Sequence, residues 1–247
     1  MFAPSAGYDR AITIFSPDGR LYQVEYALET VRRGSLAIGI RTEEGVVLAV
    51  EEKTRKLQNP ESTMKMFQID DHIGAVGAGY APDARIQVDN ARVMAQSNRL
   101  VYDEPIDVET VAKRIADLNQ QYTQYAGVRP FGVSLIIAGV DENNGAVVFL
   151  TDPTGAYQGF DAIAIGAGSD QVNDYLEKNY KKDLTLEDAI VLAIECIYLV
   201  SEDKYGASHI KVAVIDTKTK KMRRLAEQEI LGHAEKAKTR SEKPPSR

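Results

Sequence analysis

Apolar residues change their spacing several times along the chain, and each change marks an element. Leu21, Val24, Leu28 and Val31 recur three or four apart, the stripe of a helix over about residues 19–33. Just before it, Ser16-Pro17-Asp18-Gly19 is a turn signal, with Pro17 presetting φ and Asp18 able to cap the helix after it. Short apolar runs come next at Leu36–Ile40 and Val46–Val50, split by Thr42-Glu43-Glu44-Gly45, which predicts a hairpin. Met66–Ile69 and Ile73–Ala78 form a second pair around Asp70-Asp71. The spacing then lengthens: Ala84, Val88, Ala91 and Ala95 stripe one helix, and Val108, Val111, Ile115, Leu118 and Tyr122 another. Strands return at Val133–Ala138, Ala146–Leu150 and Ile163–Ile165, the first two joined through Asn143-Asn144-Gly145. Further helices open near Ser169-Asp170 and at Thr185, the latter with Asp188 in the third position of a capping box. Ile190, Val191, Leu192, Ile194 and Ile197 leave that helix almost no polar face, which predicts deep burial. Residues 210–215 read as another strand and Leu225–Lys238 as a charged surface helix.

Strands in groups and helices in groups imply an α+β fold rather than an alternating parallel sheet. Hairpins packed sheet on sheet, with helix pairs outside, give a four-layer αββα sandwich with an extra N-terminal helix. The expected organisation is a short irregular segment over residues 1–12, a single domain over 13–238, and a basic, flexible tail over 239–247.

Composition narrows the functional classes. With 44% apolar residues in 247 the chain can build a core, which excludes disorder, and no apolar run approaches a membrane span. A net charge of −6 argues against a nucleic-acid partner. Cys196 is the only cysteine, so neither an intramolecular disulfide nor a cysteine-based zinc site is possible. His72, His209 and His233 are scattered without ligand spacing, and no metal is expected. No basic stretch leads into an apolar one at the start, so no secretory leader is expected and a cytoplasmic location is.

Two glycine motifs need weighing. Gly77-Ala78-Gly79 and Gly166-Ala167-Gly168 each follow a strand and precede a helix, the setting of a dinucleotide loop. Pro82 and Gln171 stand where the third glycine would be, so tight strand-to-helix turns are the better reading and no nucleotide cofactor is expected. The carboxylate pairs Glu43-Glu44, Glu51-Glu52 and Asp70-Asp71 are neighbours in sequence only, since adjacent strand residues point to opposite faces.

The specific signal is at the N-terminus. Tyr8-Asp9-Arg10, Phe15-Ser16-Pro17-Asp18-Gly19-Arg20-Leu21 and Gln23-Val24-Glu25-Tyr26-Ala27 follow one another there. Further along stand Arg33-Gly34-Ser35, Lys65, Ile69-Asp70-Asp71, Ala84-Arg85, Gln121-Tyr122-Thr123-Gln124-Tyr125, Arg129-Pro130-Phe131-Gly132-Val133-Ser134 and Ala164-Ile165-Gly166. At this spacing, over all but the tail, the set resembles the α-type subunits of the 20S proteasome core particle, of the archaeal type. The resemblance implies the N-terminal-nucleophile hydrolase-like form of the αββα sandwich. It also implies a non-catalytic subunit, seven copies of which close a ring over a ring of catalytic β subunits.

Several residue roles come with that resemblance. Residues 1–12 become a gating segment, and Tyr8, Asp9, Arg10, Pro17 and Tyr26 match the cluster that holds the gate open. Lys65 matches the pocket lysine between adjacent α subunits, which receives the C-terminal carboxylate of a regulatory ATPase or other activator ending in hydrophobic–Tyr–any. Gly34 and Glu25 belong to the same pocket. Tyr125, Gly127, Val128 and Arg129 match the loop lining the narrow mouth beneath the gate, through which unfolded protein substrates pass to ATP-dependent degradation. Ser35 lines up with the nucleophile of the wider superfamily. Three features oppose that role: the helix upstream, Glu51 where catalytic subunits carry aspartate, and the lack of a lysine placed to lower the nucleophile's pKa.

Overall fold

A computed structural model of the chain describes residue 10 and residues 13–52, 57–59, 65–201 and 207–241. Helix α1 (Tyr22–Arg32) leads into the hairpin β1 (Ala37–Arg41) and β2 (Gly45–Glu51), and a second hairpin follows as β3 (Met66–Asp70) and β4 (Ile73–Gly79). Helices α2 (Ala81–Tyr102) and α3 (Val108–Gln121) precede β5 (Val133–Asp141), β6 (Gly145–Thr151), β7 (Tyr157–Gly159) and β8 (Ala162–Ile165). Then come α4 (Ser169–Asn179), α5 (Leu186–Val200), β9 (Ile210–Asp216), β10 (Met222–Arg224) and α6 (Glu227–Ser241).

The strands form two five-stranded sheets with the orders β10-β9-β2-β1-β8 and β3-β4-β5-β6-β7. Every pairing is antiparallel. Three apolar cores separate the layers. One lies between the β1–β2 sheet and α4, α5 and α6, around Ile38, Val172 and Ile194. A second fills the space between the sheets, with Leu48, Ile136 and Val148. The third packs α2 and α3 on the other sheet through Val88, Val111, Ile115 and Ile137. This is the αββα sandwich the order of elements predicts, and α5 is buried continuously from Ala189 to Ile197 as its apolar composition requires. Helix α1 is the extra element: its Val31 enters the inter-sheet core and so plugs one end of the sandwich.

The differences from the sequence pattern lie at element ends. Helix α1 starts at Tyr22 rather than near residue 19, with Leu21 at its N-cap and no side-chain cap. Asp18 does not cap it. Residues 16–19 form the turn instead, with Gly19 N donating to Ser16 O at 2.8 Å and Gly19 at φ +73°. Thr185 does cap α5, accepting from Asp188 N at 3.1 Å. Strands β7 and β10 have three residues each and, at most half-buried, show no apolar alternation. Helix α6 continues to Ser241, past Lys238. Gly77 and Gly79 turn out to lie inside β4, paired with Leu135 and Val133.

Candidate functional site

The junction between α1 and β1 is held by close backbone packing. Gly34 N donates to Val31 O at 2.9 Å, and Gly34 O accepts from Ala167 N at 2.7 Å. A Cβ at Gly34 would meet Gly79 N at 2.2 Å, so only glycine lets the chain pass β4 here. On the other side of Ser35, Leu36 O accepts from Glu51 N at 2.9 Å. These bonds fix the Ser35 backbone before its side chain is considered.

Lys65 opens β3 and points at this junction. Its ammonium donates to Ser35 Oγ, and both side chains are half-buried. Burial pushes the Lys65 pKa down, while the nearby Glu52 and Glu51 carboxylates act in the opposite direction. Glu51 Oε1 accepts from Ser201 Oγ at 2.8 Å, and the same hydroxyl lies 3.4 Å from His209 Nε2. A serine hydroxyl, an ammonium and a carboxylate pair therefore converge where α1 meets β1. The expectation that no lysine is placed to act on Ser35 is overturned: Lys65, at the start of the other sheet, reaches its hydroxyl, a contact that a separation of 30 positions conceals from the sequence.

The other candidates divide into two groups along α1 and the loop before β5. Tyr8 and Asp9 lie outside the described residues, and Arg10 is an exposed turn residue. Pro17 sits in the 16–19 turn. This turn is closed further by Ser16 N to Arg20 O at 2.9 Å and Arg20 N to Ser16 Oγ at 3.1 Å. Arg20 then reaches Glu25, its Nε donating to Oε1 at 2.8 Å and a terminal nitrogen donating to Oε2. That hydrogen-bonded cation holds the Glu25 carboxyl below the usual range, while the guanidinium also lies 4.8 Å from the centre of the Tyr22 ring. Glu25 is thus occupied by a partner within its own chain. The sequence hid Arg20 only because turns do not announce which side chains they bring together.

The loop between α3 and β5 is clamped at its base. Tyr122 and Phe131 stack with ring centroids 4.4 Å apart, so Phe131 performs this packing without a hydroxyl. Arg129 donates to both oxygens of Asp83, at 2.6 and 2.8 Å, and to Pro130 O at 3.0 Å, and lies over the Tyr80 ring at 5.4 Å. Asp83 also accepts from Gly132 N at 2.9 Å. Between these anchors Val128 is half-buried, Gly127 adopts φ +87° with open space around it, and Tyr125 stands exposed at the tip. Tyr26 and Arg129 line one groove of about 320 Å³ with Thr30, Tyr80 and Pro130. One gate candidate, Tyr26, and one mouth candidate, Arg129, therefore share this groove, while Lys65 and Ser35 meet at the C-terminal end of α1. Asp83 went unnoticed in the sequence because its partner is 46 residues away.

The remaining chemistry-bearing residues are engaged elsewhere. Ala167 N is taken by Gly34 O, and a Cβ at Gly166 or Gly168 would meet Ser35 O at 2.6 Å or Val200 Cγ1 at 2.7 Å. Close packing accounts for that glycine turn. Asp70 accepts from Arg99 at 2.9 Å, with His72 Nδ1 3.7 Å away, and buried Asp141 accepts from Val108 N at 3.0 Å at the start of α3. Burial pushes the Cys196 thiol pKa above the range in which it ionises at neutral pH. Among the described residues no group of three potential ligands could hold a metal ion, and no helix is long and apolar enough to cross a membrane.

Comparison with known proteins places the architecture. The family model described as "Proteasome subunit" matches residues 31–215, and the model of the N-terminal signature of A-type proteasome subunits matches residues 8–29. The proteasome alpha subunit of Methanothermobacter thermautotrophicus is 50% identical over 240 residues, which is 97% of this chain and 96% of that protein. That of Methanosarcina barkeri is 51% identical over 229 residues (92% of each chain), and that of Pyrococcus horikoshii 51% over 228 (92% and 86%). The chain belongs to the proteasome subunit family. Within it, the N-terminal signature and these relatives make it an α-type subunit, and the archaeal proteins are the ones it resembles.

Proposed function

We propose that the chain forms the outer ring of a proteasome core, seven copies closing around an axis, and that this ring admits unfolded protein to a chamber in which partner β subunits perform hydrolysis. Lys65 receives the terminal carboxylate of an activator or regulatory ATPase; Gly34 belongs to the same pocket, as does Glu25, which pairs with Arg20 nearer the start of α1. Tyr8, Asp9, Arg10, Pro17 and Tyr26 hold the gate, and the loop from Tyr125 through Gly127, Val128 and Arg129 forms the mouth below. The work is cytoplasmic.

The observation that carries this reading is the half-buried Lys65 side chain at the exit of α1, which donates to Ser35 Oγ. A cation so placed attracts an anionic ligand group more strongly than a fully hydrated one. Assembly with other subunits also gives a role to the outer face of α2. There Ile86, Val93 and Leu100 recur every seven residues and stay 43%, 66% and 88% exposed, an apolar stripe suited to a β subunit.

Two measurements test the proposal. Seven copies of the 27.2 kDa chain weigh about 190 kDa, the native mass expected of a single ring. Lys65→Ala should abolish activator-stimulated peptide hydrolysis by the assembled core and leave the ring mass unchanged. Stimulation equal to that of the parent would refute docking at Lys65.

A further inference from the structure

A sheet edge presents main-chain donors and acceptors with which any extended chain can pair, and folded proteins cover such edges. The edge strands of the two sheets here are β10, β8, β3 and β7. On β3 the carbonyls of Met66 and Gln68 accept from Arg224 at 3.1 Å and from Arg92 at 2.9 Å. On β8 the Asn173 side chain takes both groups of Ala164, accepting from its N–H at 2.8 Å and donating to its carbonyl at 3.1 Å. On β10 Met222 N donates to Asp71 O at 2.7 Å. Strand β7 differs. Its pairing with β6 is bounded by Phe160 N donating to Val148 O at 2.9 Å and Asp152 N donating to Ala156 O at 3.2 Å, with Gln158 opposite Leu150 between them. In that alternation Gln158 turns its main-chain groups to β6, while Tyr157 and Gly159 turn theirs outward. Among the described residues nothing takes these outward groups, and Tyr157, Gln158 and Gly159 are all exposed.

The turn that leads into β7 is fastened to the last turn of α3. Asn119 Nδ2 donates to Asp152 O at 2.8 Å, and a Cβ at Gly155 would meet Gln120 Cβ at 2.4 Å. From this contact the chain runs from Gly155 into β7, and from Gln120 through Tyr122 into the loop that carries Tyr125. The open edge therefore starts beside the root of the loop assigned to the mouth. An unfolded chain in transit has no fixed sequence, and its own main-chain groups are unpaired. What every such chain shares is its backbone. We propose that β7 is a binding site for extended polypeptide, which adds as a further strand along Tyr157 and Gly159 through main-chain hydrogen bonds. The inference rests on the reading that unfolded protein passes this subunit, and adds where on it the passing chain is held. A strand with only two outward-facing residues gives a weak attachment, so a chain held there is also released.

The test uses the full-length chain assembled without β subunits, so that no hydrolysis competes, and a short fluorescein-labelled peptide of alternating threonine and valine flanked by lysines. A second preparation of the peptide is N-methylated at its central residues, which blocks both of its edges and leaves its side chains unchanged. In anisotropy titrations the parent protein should bind the unmodified peptide about three- to tenfold more tightly than the methylated one. Tyr157→Pro removes an outward N–H at the first position of an edge strand, where proline is tolerated, and should weaken binding of the unmodified peptide by a similar factor. Tyr157→Ala keeps that N–H and should bind within about twofold of the parent. Hydrogen exchange across residues 157–159 should slow when the unmodified peptide is added. Equal Kd values for the two peptides overturn strand addition on the parent protein itself, whether or not the proline variant folds. Binding by Tyr157→Pro equal to the parent's overturns it too, as does an equal loss in Tyr157→Ala, which would assign the contact to the ring. A lower native mass of Tyr157→Pro would give the edge to a neighbouring copy and also overturns the proposal. If β7 fails these tests while the complete core still hydrolyses unfolded protein, the passage reading stands without it. A complete core that leaves unfolded protein intact overturns the passage reading, whatever β7 binds.

Discussion

Asp83 is the side chain on which the mouth loop hangs, and removing it should be costly. It is buried, and its carboxylate receives three donors: two from Arg129, at 2.6 and 2.8 Å, and Gly132 N at 2.9 Å. In Asp83→Ala the Gly132 N–H is left buried without a partner, which costs about 1–3 kcal/mol. The ion pair adds less, because the Arg129 side chain is 59% exposed and water screens it, so about 0.5–1 kcal/mol is the appropriate share. The sum, about 2–4 kcal/mol, corresponds to a fall in Tm of roughly 4–16 °C for a domain of this size. Asp83→Asn keeps an acceptor for Gly132 and should cost about half as much. Arg129→Ala combined with Asp83→Ala should cost less than the two single changes added, since the same contact is lost twice. Thermal melts followed by circular dichroism, at one fixed protein concentration because assembly raises Tm by mass action, decide the matter. An Asp83→Ala protein melting within about 1 °C of the parent would refute the reasoning, and strict additivity with Arg129→Ala would refute the pairing.

Three other outcomes are expected from the same structure. Burial raises the pKa of Asp141, so the folded chain binds that proton more tightly than the unfolded one. Its contribution is fully present below the unfolded carboxylate pKa and is lost as pH rises through the folded value. Asp141→Asn should therefore compare better with the parent at pH 7 than at pH 4, and equal Tm differences at both values would exclude this. Leu100→Asp, at the most exposed point of the α2 stripe, should leave the mass of the α assembly unchanged while weakening its association with β subunits in gel filtration; undiminished association removes that face from the contact. Beginning the chain at Ser35 removes the buried Val24 and Val31, worth together about 3–6 kcal/mol of apolar burial, and should lower Tm by at least about 5 °C. A truncated chain as stable as the parent would mean that α1 is not part of the core.

The sequence exposes those elements whose burial is asymmetric or complete. Helix α3 and the β1–β2 hairpin could be read from spacing because one face of the first is buried and almost every residue of the second is. Strand β7 could not, since Tyr157, Gln158 and Gly159 are all exposed and only pairing with β6 makes them a strand. Sheet order is equally silent: β2 pairs with β9, more than 150 residues away, and no local pattern encodes such a partner. The site divides in the same way. Pro17, Gly34 and Lys65 were identified through their match to a known signature. Their chemistry depends on Ser35, Asp83 and Arg20, whose significance lies in contacts across sheets and turns. Gly34 is also required for a reason within the chain, the close approach of Gly79, quite apart from any ligand.

The contact between Ser35 and Lys65 bears on whether this chain could supply a nucleophile. A serine beside a lysine with a lowered pKa satisfies part of what nucleophilic catalysis requires. An N-terminal nucleophile, however, takes its base from its own α-amine, and Ser35 N is here an amide bonded to Gly34. The Gly34 carbonyl accepts from Ala167, its amide donates to Val31, and the helix before it inserts Val31 between the sheets. Liberating that amine would break these bonds and open one end of the inter-sheet core. A detachable leader would leave the core closed behind it, whereas this one fills it. The same α1 that denies Ser35 a free amine also holds its side chain beside Lys65. The constellation thereby lacks the free amine that an N-terminal nucleophile takes as its base, and one structural element accounts for both properties.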